Sequence, residues 1–106
     1  MRAALYARVS SSRQEQERTI ESQLDALRTY AAAHGYEVAP QHVFCDDGYS
    51  GSQLDRPALD RLRDAAQAHA FDAVLVLSPD RLARRYAYQV LVLEELERLG
   101  VHVVFL

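Results

Sequence analysis

Ala3-Ala4-Leu5-Tyr6-Ala7-Arg8-Val9-Ser10-Ser11-Ser12 is the stretch on which the reading of this chain turns. Its apolar run, Ala3 to Ala7, has the length and flanks of a buried strand. The run carries an arginine near its end and stops at three serines. A strand end is rigid, and a hydroxyl just past it projects over the edge of a sheet. Arg8 and Ser10 alternate onto one face, so Ser10 stands where a nucleophile needs to be, with a cation two residues earlier. The simpler reading is that Ser10 to Ser12 turn the chain and cap the next helix. For an isolated Arg-x-Ser the simpler reading wins, and only the remainder of the chain can decide otherwise.

Outward from this stretch, the pattern alternates strands with helices. Residues 2–9 form the first strand, and Ser11 to Arg18 are a polar connection. Thr19 to His34 reads as a helix, with Thr19 as N-cap, Gly35 as its stop and Ile20, Leu24, Leu27 and Ala31 as one apolar stripe. Glu37 to Cys45 contains the second strand, best developed from His42 to Cys45, with Pro40 before it. Asp46 to Gln53 is a loop rich in Gly, Ser and Asp. A second helix opens at Asp55-Arg56-Pro57, with Asp55 as its cap, and Leu59, Leu62, Ala65 or Ala66, and His69 mark its inner face. Ala73 to Leu77 is apolar on both faces, as a central parallel strand should be. A third helix runs from about Tyr86 to Leu99 and ends at Gly100, and Val101 to Leu106 is the fourth strand. The order β-α-β-α-β-α-β predicts an α/β fold with a mainly parallel four-stranded sheet flanked by helices, as one domain over residues 1–106.

Composition narrows the function. The chain has 106 residues, a hydrophobic share of 49% and a charged share of 25%, ordinary for a soluble globular domain. No apolar run approaches the length of a membrane span, and no cleavage-site pattern follows the N-terminus, so no membrane partner is expected. A single cysteine, Cys45, rules out an internal disulfide and fits a cytoplasmic location. The net charge of −3 argues against a nucleic-acid binder that works by bulk charge. All twelve cations are arginine. Without lysine, neither a P-loop nor a Schiff-base enzyme can be built, whereas arginine grips phosphate through two parallel N–H bonds.

Ligands of such a sheet bind beyond the carboxyl ends of its strands. Arg8 and Ser10 close the first strand, and Asp46 and Asp47 close the second. Ser78, Asp80, Arg81 and Arg84 follow the third, and Arg56 begins the helix after the long loop. The four histidines, His34, His42, His69 and His102, fall at the opposite edge, which leaves no place for a Ser-His-Asp triad or a zinc site. The carboxyl edge therefore offers one serine, several guanidiniums and carboxylates. Four arginines near one hydroxyl are costly unless an anion sits among them, and a phosphodiester fits, with two oxygens to clamp and a charge that grows in the transition state. Asp80-Arg81-Leu82-Ala83-Arg84-Arg85 alone reads as a solvated helix start; together with Arg8-x-Ser10 on the same edge it reads as phosphate binding. Adjacent Asp46 and Asp47 diverge in a strand, so a structural role ranks above a metal site. Asp80 among arginines is expected to be held low, as an orienting carboxylate or a base.

These residues resemble the catalytic domain of the serine site-specific recombinases, the resolvase–invertase group. The resemblance rests on Tyr6-Ala7-Arg8-Val9-Ser10, on Asp46 with Ser50-Gly51 and Asp55-Arg56-Pro57, and on Asp80-Arg81-Leu82-Ala83-Arg84. Glu21-Ser22-Gln23 and the form Gly48-Tyr49-Ser50-Gly51-x-x-Leu54-Asp55-Arg56-Pro57 are closer to its large integrase and transposase branch. The resemblance spans nearly the whole chain in order. It implies that Ser10 attacks a phosphodiester of double-stranded DNA, forms a 5′-phosphoserine link and releases a 3′ hydroxyl. Strands would then be exchanged by subunit rotation in a tetramer and resealed without ATP or another cofactor. It implies that Arg8, Arg56, Arg81 and Arg84 hold the phosphate, that Asp80 belongs to the catalytic set, and that Gln14, Gln23, Asp46 and Ser50 support it. It also implies further catalytic-domain structure, a dimerisation helix and DNA-binding domains beyond Leu106, so residues 1–106 alone are expected to fold without being active. Two other classes compete. An inactive recombinase-like binding module is disfavoured by the presence of the serine and all four arginines. A phosphoacceptor signalling domain is disfavoured by the missing lysine. The expected geometry has Arg8, Arg81 and Arg84 converging near Ser10, with Arg56 on a more mobile loop and repulsion splaying the cations.

Overall fold

A computed structural model describes residues 1–9, 19–48, 56–83 and 85–106. Two strands carry the interior. Every residue of β1 (Ala3–Val9) and of β3 (Ala73–Val76) is buried, which explains why both read as unbroken apolar runs rather than alternating ones. They pair in parallel, with Leu5 opposite Leu75 and Tyr6 opposite Val76. β2 (Val43–Asp47) lies outside β1, and β4 (His102–Phe105) lies outside β3. The sheet is all-parallel in the order β2-β1-β3-β4. The chain leaves β1 towards one edge and returns for β3 on the other side, so the topological switch point falls between β1 and β3.

Helices cover both faces. α1 (Ile20–Ala33) lays Leu27 and Ala31 on Ala3, Leu5, Ala73 and Leu75. Thr19 caps it by accepting the Ser22 N–H at 3.1 Å, and Gly35 leaves it with φ +73°, a conformation that favours glycine. The opposite face carries α2 (Pro57–Gln67), through Ala58, Leu59, Leu62 and Ala66, and α4 (Tyr86–Arg98), through Val92 and Leu96. A half-buried pair, Arg63 to Glu95 at 2.7 Å, ties α2 to α4. No helix among the described residues is long and apolar enough to cross a membrane.

Several local expectations are corrected. Pro40–His42 is a 3₁₀ turn, so β2 starts at Val43 and runs on to Asp47, which draws Asp46 into the sheet. β3 ends at Val76, one residue before the expected Leu77. His69 is exposed at φ +56°, in the turn that leaves α2, and is not part of that helix's inner face. A short helix, α3 (Pro79–Leu82), precedes α4. Four residues are too few to show a helical period, although Pro79 at its first position and buried Leu82 mark it. Arg56, not Asp55, occupies the N-cap position of α2 and makes no side-chain cap bond; Asp55 lies outside the described residues.

Candidate active site at the carboxyl edge of the sheet

The switch point brings the end of β1 beside the chain that leaves β3, and one buried carboxylate organises what flanks them. Asp46, near the end of β2, is 1% exposed. Its Oδ2 accepts the Tyr6 hydroxyl at 2.7 Å and the Leu59 N–H at 3.0 Å, and its Oδ1 accepts the Ala58 N–H at 2.8 Å. A strand residue therefore caps α2 from a distance, satisfying two of its first-turn amides. Asp46 and the exposed Asp47 do diverge from the strand, and both oxygens of Asp46 are engaged within the fold.

The position of α2 fixes Arg56. Its guanidinium stands 5.7 Å from the centre of the Tyr6 ring, in cation–π range. Arg56 is fully buried, which corrects its expected place on a mobile loop. Arg8, the penultimate residue of β1, is 1% exposed. Both guanidiniums converge on the carbonyls at the C-terminal end of α3, which lack helical N–H donors. Arg8 Nη2 donates to Asp80 O at 3.0 Å and its Nε to Arg81 O at 3.2 Å. Arg56 Nη1 donates to Arg81 O at 3.4 Å and its Nη2 to Leu82 O, while its buried Nε has no partner. Arg81 reciprocates, its Nη1 donating to Arg8 O at 3.2 Å. Among the described arginines, the Arg8 and Arg56 guanidiniums are gathered on one turn.

Electrostatics records the strain of that gathering. Burial, and then the charge of Arg56, lower the Arg8 pKa below the ordinary arginine value. Burial lowers that of Arg56 as well, opposed by Tyr6 and Asp46. Burial also drives the Tyr6 phenol far above the ordinary tyrosine range. Gln23 is buried on the inner face of α1 and meets the Arg8 backbone twice. Its Nε2 donates to Arg8 O at 3.0 Å, and its Oε1 accepts the Arg8 N–H at 3.3 Å. The amide thus serves the end of β1 as a neighbouring strand would, beyond the point where β3 stops opposite Tyr6.

Arg8, Arg56, Arg81, Gln23 and Asp46 come together at this edge. The Asp80 carboxylate is exposed and accepts the Ser78 hydroxyl, its charge acts on Arg8, and it is the Asp80 carbonyl that the Arg8 guanidinium holds. Ser10, Gln14, Ser50 and Arg84 lie outside the described residues; Ser10 directly follows Val9, where β1 ends. All four histidines lie towards the other edge, after α1 and α2 and before or at the start of β2 and β4. Two contributors escaped the sequence reading. Tyr6 had a signal, because a tyrosine in a fully buried strand needs a partner for its hydroxyl. The α3 carbonyls had none, since backbone groups carry no residue signature.

The family described as "Resolvase, N terminal domain" matches residues 3–106. A Bacillus subtilis (strain 168) protein named as a DNA recombinase is 34% identical over 103 residues, covering 96% of this chain and 20% of its own length. The transposon Tn3 resolvase of Escherichia coli is 35% identical over 106 residues, covering 100% of this chain and 50% of its own. The chain thus spans half or less of these curated relatives. Among solved structures, the N-terminal catalytic domain of TP901-1 integrase superposes with a TM-score of 0.88 at 32% identity, over 99% of this chain and 76% of that one. The C-terminal catalytic domain of ISC1926 TnpA, an IS607-like serine recombinase, superposes with a TM-score of 0.85 at 34% identity, over 99% and 70%.

Proposed function

Since the chain belongs to the resolvase N-terminal domain family, we propose that it is the catalytic core of a serine site-specific recombinase acting on double-stranded DNA in the cytoplasm. The observation that carries the reading is the convergence of Arg8, Arg56 and Arg81 at the carboxyl edge, at the end of the strand that Ser10 follows. Three guanidiniums without a histidine beside them suit a direct nucleophile better than a water-activating base. The Ser10 hydroxyl loses its proton and its oxygen attacks the scissile phosphorus. The bond from phosphorus to O3′ breaks, the 5′ phosphate becomes esterified to Ser10, and O3′ takes up a proton and leaves as a hydroxyl. Arg8, Arg56, Arg81 and Arg84 hold the non-bridging oxygens, whose charge grows as the fifth bond forms. Asp80, exposed beside Ser78, orients or carries a proton at the edge, and Gln14, Gln23, Asp46 and Ser50 support the arrangement. Reversal of the same step reseals the exchanged strands within a tetramer of the full-length protein, so no ATP or other cofactor is required.

The test is made in the full-length parent protein on its native site, with EDTA present. Arg81→Lys and Arg84→Lys keep the charge and lose the planar two-pronged contact. Each should slow cleavage by roughly 100-fold, the scale of losing one oxyanion donor. Wild-type cleavage by both variants, or a requirement for a divalent metal, would overturn the reading.

A further inference from the structure

Four hydrogen bonds run from two buried guanidiniums to three consecutive carbonyls, Asp80 O, Arg81 O and Leu82 O. We infer that α3 is an internal competitor for the phosphate site: its C-terminal carbonyls occupy the donors of Arg8 and Arg56 in the free protein, and an incoming phosphate takes those donors and releases the turn. The inference rests on the phosphate-clamp reading above. A carbonyl oxygen is a neutral acceptor. Hydrogen bonds from a guanidinium to phosphate are charged at both ends, shorter and roughly twice as strong. The exchange therefore runs downhill once a phosphate reaches the edge.

The turn is built to be released. α3 has four residues, and its backbone–backbone ties among the described residues include Ala83 N–H to Pro79 O at 3.0 Å and Arg81 N–H to Ser78 O at 3.1 Å, with Gln89 Nε2 donating to the Ala83 carbonyl just past its end. Pro79 and Asp80 are exposed, while Leu82 and Ala83 are buried and anchor the far end. Beyond α3 the donors are held in place independently. Gln23 grips the Arg8 backbone, and the Asp46 cap fixes the first turn of α2 directly after Arg56. Guanidiniums on fixed backbones facing a lightly tied turn form a two-position switch, in which the cations stay buried against the carbonyls until an anion replaces them. It delays full engagement of the arginines until DNA is seated.

The experiment uses this chain, isotope-labelled, with inorganic phosphate as the probe against chloride at matched ionic strength. The Nε–H resonances of Arg8 and Arg56 report binding, and hydrogen exchange at the Ala83 amide reports the turn. Phosphate should shift the guanidinium signals and raise Ala83 exchange about tenfold, the factor set by roughly one lost charged hydrogen bond. Pro79→Gly, which loosens α3 without touching an arginine, should tighten phosphate binding about threefold or more, because weakening a competitor raises apparent affinity. Guanidinium shifts with unchanged Ala83 exchange would overturn the switch and leave the clamp standing. So would weaker or equal binding by Pro79→Gly. No guanidinium shift at saturating phosphate would overturn the clamp and the switch together.

Discussion

Removing the Asp46 carboxylate should damage this fold more than any other single change at the candidate site. Its oxygens accept one hydroxyl and two amides at 2.7, 2.8 and 3.0 Å, all buried. In Asp46→Ala the first turn of α2 loses its cap, a cost of about 1–2 kcal/mol. The Tyr6 hydroxyl is left without an acceptor in the interior, about 1–3 kcal/mol more. Arg56 also loses a carboxylate that helps offset its buried charge. Together these put the loss at roughly 3–5 kcal/mol, a large part of the ~5–15 kcal/mol that keeps a domain folded. At 106 residues that corresponds to a fall in Tm of roughly 15–30 °C. Urea unfolding followed by circular dichroism measures it, with an unchanged m-value showing that the unfolded state is not the cause. The Ala58 and Leu59 amides should exchange faster well before global unfolding. A double-mutant cycle with Tyr6→Phe should return a coupling of about 1–3 kcal/mol. A loss below about 1 kcal/mol, or no coupling to Tyr6, would refute the claim that Asp46 joins the sheet to α2.

Three further outcomes follow from the same geometry. Gln23→Leu removes both bonds to the Arg8 backbone and should cost about 2–4 kcal/mol in urea unfolding; a neutral effect would mean that the amide does not hold the end of β1. Tyr6 is raised in the folded state by burial, so the folded chain keeps a proton that the unfolded chain gives up near the ordinary value of about 10. Stability therefore falls as pH rises above about 10, and Tyr6→Phe should flatten that slope in an alkaline unfolding series. The Arg63–Glu95 pair is partly open to solvent, so its double-mutant coupling should be only about 0.5–1 kcal/mol and shrink at high salt.

The layout of the fold was legible because β1, β3 and the stripe of α1 each bury a periodic set of side chains, and because Thr19, Gly35 and Gly100 punctuate the helices. The edge on which the arginines collect was legible for the same reason: a parallel α/β order alone fixes which strand ends share a side. What failed to show were contacts made across the chain. Nothing local to α2 signalled that Asp46, on a neighbouring strand, accepts its Ala58 and Leu59 amides. Arg56 follows a Gly- and Ser-rich run, which made it look loop-borne, while the Tyr6 ring and the α3 carbonyls hold it inside. His69 continues the apolar spacing of α2 but falls just past its end, where the backbone turns left-handed. Asp80 adjoins Arg81 in sequence, yet its carboxylate turns to Ser78. Charge sequence alone does not say which atom of a residue an arginine will meet.

The covalent bond at Ser10 is open to trapping. The full-length parent protein is given its recombination site with a nick or a bridging phosphorothioate that traps the cleaved state, in EDTA, and the protein–DNA adduct is digested and mapped by mass. The 5′-phosphate should be found esterified to Ser10, absent from Ser10→Ala and retained in Ser11→Ala and Ser12→Ala. An adduct on Ser11, Ser12 or a tyrosine, or cleavage only with a divalent metal, would contradict it.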